Sequence, residues 1–135
     1  LTNFLISAIL MAYRGQKGEA MITELGKELR KIRIDQDERL LDMAERLEKS
    51  AAFVSAGEGG KKSPPSGFEE AVIKAYGLAA DVAERLRQTA DRARKAFTIE
   101  PNSMLGRDTA GLLARRMNDL SEDQLNDIRK ILNKK

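Results

Sequence analysis

The sequence predicts an all-α protein, and three observations carry that prediction. Aliphatic residues recur at three- and four-residue steps through most of the chain after Met21, the spacing that lines one face of a helix. Aromatic residues make up only 4% of the 135 residues and tryptophan is absent, which suits aliphatic helix packing better than a β-sandwich. Glycine and proline gather in a few places instead of punctuating short strands at even intervals. With 41% apolar and 33% charged residues, the composition is that of a soluble globular protein with one main core and at most a small helical appendage.

Taken in order, Leu1 to Tyr13 is an apolar run too short to span a bilayer as a helix, and it lacks the basic start and small-residue cleavage site of a secretory signal. Residues 1–20 therefore read either as an extension upstream of a native start at Met21, or as an amphipathic arm that hides Phe4, Leu5, Ile9 and Leu10 against the core or a second subunit. From Ile22, the stripe Ile22, Leu25, Leu29, Ile32 predicts a first helix that starts near Met21 or Thr23 and keeps Glu24, Lys27, Glu28 and Lys31 outside. The polar cluster Asp35-Gln36-Asp37-Glu38 ends it and offers acids to the positive N-terminus of the next helix. That second helix spans about Leu40 to Glu48, burying Leu41, Ala44 and Leu47.

Ser50 predicts the N-cap of a third, short helix ending by Glu58, before Gly59-Gly60. Two prolines make Lys61 to Gly67 a loop. Phe68, Val72, Ile73 and Tyr76 resume a helix closed by Gly77, and Leu78, Val82, Leu86 and Ala90 carry another to about Ala96. Pro101, Asn102 and Gly106 mark Thr98 to Arg107 as a connector. A C-terminal helical hairpin follows: Asp108 to Asn118 with Leu112, Leu113 and Met117 inward, then a helix opened by the capping box Ser121-Glu122-Asp123-Gln124 and striped by Leu125, Ile128, Ile131 and Leu132. The expected organisation is thus an extension (1–20), a main domain (21–97) and the hairpin (98–135).

The absence of both cysteine and histidine removes disulfides, thiolate nucleophiles, the commonest zinc ligands and the usual neutral-pH general base. No calcium-loop spacing, phosphate loop or nucleophile elbow occurs, so neither an enzyme nor a cofactor is expected. The net charge of +3 is compatible with nucleic acid, but nine basic and nine acidic residues balance between Ile22 and Lys62.

The informative stretch is Leu40-x-x-Met43-Ala44-x-x-Leu47, Ser50-x-x-Phe53-Val54-Ser55 and Glu58-x-Gly60-Lys61. Two short helices joined by a tight turn, with the small Ala44 at their crossing, leave the second free to enter a DNA major groove. From about Leu25 to Tyr76 the chain resembles the helix-turn-helix family of Cro-type phage repressors, the Xre family, whose lambda-repressor-like fold has five helices. The resemblance implies that Ala51, Ala52, Phe53 and Ala56 face bases, with Ser50 and Ser55 near phosphates or base edges. It also implies an ion pair between Arg33 and Glu58. Lys49, Lys61 and Lys62 are the candidate phosphate contacts, and packing against the second helix is the alternative for Phe53. The chain departs from the family at Glu48, where the turn has glycine; at Gly57, where a large aliphatic anchors the recognition helix; and at Gly59, where asparagine is common. Glu48 must then adopt positive φ or reshape the turn, and Gly57 leaves space beside the helix.

These features predict a cytoplasmic transcriptional regulator that binds duplex DNA, acts as a homodimer joined through the C-terminal hairpin, and does not engage a membrane. The alternatives are an antitoxin or immunity-type component whose C-terminal part masks a toxin or protease, and a helical adaptor that has lost DNA binding.

Overall fold

A computed structural model describes residues 22–135; the readings placed on residues 1–21 lie outside them. The described residues form seven α-helices, one 3-10 turn and no strand. None of these helices is long and apolar enough to cross a membrane. The helices are α1 (Glu24–Asp35), α2 (Leu40–Arg46), α3 (Ala51–Glu58), α4 (Phe68–Tyr76), α5 (Ala80–Ala93), α6 (Met104–Arg116) and α7 (Glu122–Asn133), with the 3-10 turn at Met117–Asp119. They divide into two units, the first ending at Ala96 and the second running from Phe97 to Lys135.

In the first unit α1 packs on α5 and α3, α2 on α3, and α4 on α5. Thr23 starts α1 by accepting a hydrogen bond from the Gly26 N–H at 3.0 Å. Leu25, Leu29 and Ile32 then enter a core shared with Met43, Val54, Val72, Leu86 and Ala90. Two expectations about sidedness fail. Glu28 is buried, not outside; it lies on the face of α1 toward α5, where Lys31 and Arg85 pair with it at 3.3 and 4.0 Å. Leu41 is 63% exposed, whereas Met43 is fully buried, because α2 turns the Leu40, Met43, Ala44, Leu47 stripe inward.

Long-range hydrogen bonds fix the loops. Glu38 closes the α1–α2 connection instead of serving as a helix-start acid: it accepts from the Tyr76 hydroxyl at 2.7 Å and pairs with Arg46, whose guanidinium stacks 4.5 Å from the Tyr76 ring centre. The hydrogen bond from Tyr76 holds the Glu38 carboxyl below the ordinary glutamate value, against a smaller opposing effect of burial. Burial and the Glu38 carboxylate push the Tyr76 hydroxyl well above its usual range. Arg94, just after α5, clamps the proline loop. Its guanidinium donates to the Pro64 and Pro65 carbonyls at 3.1 and 2.7 Å and meets both Glu69 carboxylate oxygens at 3.0 and 2.6 Å.

In the second unit Ser103 caps α6 through the Gly106 N–H at 2.9 Å. The helix thus begins four residues earlier than expected, and Gly106 lies inside its first turn instead of marking a connector. Ser121 and Gln124 form the expected reciprocal capping box on α7. The two helices do not pack together along their lengths. Leu112, expected inward, is 53% exposed, Met117 is also exposed, and none of this unit's residues is buried.

Candidate nucleic-acid interface

The segment from α2 to the proline loop is built around a turn that needs a left-handed residue. Leu47 ends α2; the Glu48 N–H donates to Glu45 O at 3.1 Å and the Lys49 N–H to Ala44 O at 2.9 Å. That is the bond pattern of a Schellman cap, whose central position is usually glycine. Glu48 occupies it with φ of 57°, so the turn keeps its shape and the side chain bears the strain. Ser50 then starts α3 by accepting from the Phe53 N–H at 3.1 Å.

Along α3 the inward residues are Val54 and Glu58, both buried. Ala52 and Ser55 stand outward and exposed, while Ala51, Phe53 and Ala56 are half-buried. Phe53 points its ring at Phe68, centroid to centroid 5.9 Å and edge-on, and Ala51 packs on the same core. Of the four residues expected to face bases, Ala52 is therefore the most open and Phe53 spends much of its surface on packing. Ser50 and Ser55 are exposed, and the Ser50 hydroxyl is already engaged as a cap.

A cleft of about 450 Å³ runs beside α3, lined by Phe53, Ala56, Gly57, Pro64, Pro65 and Phe68 among others. Gly57 brings no side chain to it, and a Cβ built there would meet nothing within 4 Å. Lys62 lies on its edge. Lys49, Lys61 and Lys62 are all exposed and form no ion pair with any described residue. Lys49 reaches over Phe53, its Nζ 5.5 Å from the ring centre. Two exposed acids, Glu45 and Glu48, flank the turn and temper the positive potential at the leading end of α3.

The trailing end of α3 is fixed more firmly than sequence spacing alone would indicate. Arg33 Nη2 donates to Glu58 Oε1 at 2.7 Å, with side-chain exposures of 13% and 7%, and Arg30 Nε approaches Glu58 Oε2 at 3.5 Å. Thr23 donates twice to the Glu58 main-chain oxygen, from its N–H at 3.3 Å and its hydroxyl at 3.2 Å. Gly26 makes room for this approach: any Cβ there would overlap the Glu58 carbonyl. Sequence reasoning placed Thr23 near the start of α1 without its bonds to Glu58, and passed over Gly26 and Arg30; the one available signal was a glycine inside an otherwise regular helical stripe.

The described residues hold no cluster of His, Cys, Asp or Glu suited to a metal ion. No protein-family model, curated protein or solved structure matches the chain.

Proposed function

We propose that the chain is a DNA-binding regulator in which α2, the Glu48 turn and α3 act as a helix-turn-helix. The observation that supports this best is the outward face of α3. It is open at Ala52 and Ser55, preceded by Lys49 and followed by Lys61 and Lys62, which form no ion pair with any described residue, and held at its far end by Glu58. A helix so mounted can enter a major groove about one helix diameter wide, with Lys49 on one side and Lys61 and Lys62 on the other against phosphates. Phosphate contacts fix the register of such a helix without reading sequence. Ala52, Ser55 and Ala56 carry no bidentate donor, so base choice on this reading comes from thymine-methyl contact and duplex shape, not from hydrogen bonds. One eight-residue helix buries little surface, and two copies on a repeated operator supply what one lacks.

The test is a salt titration of duplex binding by the whole chain. Affinity that falls steeply with salt supports phosphate contacts, and Lys61→Glu combined with Lys62→Glu should weaken binding to all duplexes alike. Absence of binding at low salt overturns the reading. It would then favour the second one, a protein-interaction component of the antitoxin or adaptor kind, for which the open apolar groove of the second unit is the supporting observation.

A further inference from the structure

Residues three and four apart share one side of a helix, so Arg30, Arg33 and Ile34 form one face of α1 and Ser55 and Glu58 one face of α3. Where the two faces meet, with Leu40 at the start of α2, they line a notch of about 410 Å³. Its charges do not cancel. The Glu58 carboxylate serves two guanidiniums: Arg33 Nη2 lies 2.7 Å from Oε1, whereas Arg30 reaches Oε2 through Nε at 3.5 Å. Two positive groups thus face one negative group, and the buried Arg33 Nε has no hydrogen-bond partner among the described residues. Arginine cannot shed this surplus by losing a proton. Arg30 is the accessible member, 43% exposed against 13% for Arg33, and the exposed Ser55 brings a hydroxyl to the same notch. An open guanidinium backed by a second one, beside a hydroxyl, is a donor set for a single oxyanion. Ile34 and Leu40 add apolar walls, which suit the sugar that adjoins a backbone phosphate better than a bare ion.

We infer that this notch holds a phosphate of the duplex backbone, with Arg30 and Ser55 donating to it and Arg33 adding positive charge from behind. The contact belongs to α1 and the outward side of α3, apart from the three lysines already proposed to meet phosphates. Ser55 joins the two, since it stands on the face of α3 that is open to the duplex. Glu58 does not repel the anion outright, because both of its oxygens already face guanidiniums. The inference rests on the proposed DNA reading for the source of the phosphate, and on the notch alone for the chemistry of what it binds.

Two measurements on the full chain test it. In a salt titration with a mixed-sequence duplex, Arg30→Gln should weaken binding and lower the slope of log affinity against log salt by about one. The shorter Arg33–Glu58 contact does not involve Arg30, so this variant keeps it. Ser55→Ala should weaken binding with the slope unchanged, because a hydroxyl displaces no counterion. Lys74→Gln, an equal loss of charge on α4, should leave the slope as it is. In the isotope-labelled chain the Arg30 Nε–H resonance should move on adding the duplex, and also on adding inorganic phosphate at matched ionic strength. Duplex binding with an unchanged slope for Arg30→Gln, an equal fall for Lys74→Gln, or an unmoved Arg30 resonance overturns this inference alone. No duplex binding, with the resonance still moved by inorganic phosphate, overturns the proposed function and the duplex as the source, and leaves the notch a site for a free phosphate group. Neither duplex binding nor a phosphate-induced shift overturns both.

Discussion

Removing the Glu58 carboxylate should destabilise the first unit by about 3 kcal/mol. The magnitude follows from burial. Breaking a buried ion pair by deleting one partner costs about 3–5 kcal/mol, because the other charge is left without compensation. Glu58 and Arg33 are 7% and 13% exposed, but Arg30 is 43% exposed and a groove of about 410 Å³ opens beside the group. Water that reaches Arg33 through that groove softens the loss, which places the expectation at the lower end. Both Thr23 hydrogen bonds end on the Glu58 main-chain oxygen, so Glu58→Ala leaves them in place and isolates the side chain. Denaturant unfolding should show the change directly, and heat should lower the midpoint by roughly 12–24 °C, at about 4–8 °C per kcal/mol for a domain of this size. Arg33→Met with Glu58→Met should recover most of the stability, since an apolar pair carries no stranded charge. A cost below about 1 kcal/mol for Glu58→Ala would put the pair in the class of exposed bridges and refute the claim that it holds the tail of α3.

Three further outcomes follow from the geometry. Glu48→Gly should stabilise by about 0.5–1 kcal/mol in denaturant melts, since a left-handed L-residue costs about 1–2 kcal/mol and the added freedom of glycine returns part of it. Gly26→Ala should destabilise by about 1–3 kcal/mol despite the better helix propensity of alanine, because the new methyl displaces the Glu58 carbonyl; no loss would mean the close approach is not maintained in solution. For acid sensitivity, burial pushes the Glu69 carboxyl up, but the Arg94 hydrogen bonds outweigh it and hold it below 4.5. A depressed carboxylate contributes stability that is present above its unfolded value and lost as pH falls through the folded one. Stability measured against pH should therefore drop below about pH 4.5, and Glu69→Gln should be less stable at neutrality with a shallower acid limb.

The helices that sequence periodicity exposes best are those long enough to choose a face. The spacing of Leu25, Leu29 and Ile32 fits only one side of α1. The seven residues of α2 admit two stripes, one through Leu41 and one through Leu40 and Met43, and only the surrounding core selects the second. Glu28 was misjudged because a charged residue reads as surface unless its partners are known, and Arg85 is 57 positions away. Gly106 was read as a break because glycine signals a stop, whereas its N–H here is the one that Ser103 caps. In the site, the start of α3 was legible from Ser50, whose capping role is local. The Arg33–Glu58 expectation came from resemblance to a family, since nothing in a 25-residue separation announces a contact. For the same reason the Arg94 clamp on Pro64, Pro65 and Glu69 was invisible: its partners lie 25 to 30 positions back along the chain.

Where Gly26 meets the Glu58 carbonyl, main chain bears on main chain with no side chain between to cushion it. The short rod α3 is consequently stiff at its tail and more compliant at its head, which the Ser50 cap and the packing of Ala51 and Phe53 hold instead. Amide exchange should grade along those eight residues, slowest near Glu58 and fastest near Ala52. A cantilever of this kind lets the leading end adjust its tilt to an uneven surface while its root transmits every strain to α1.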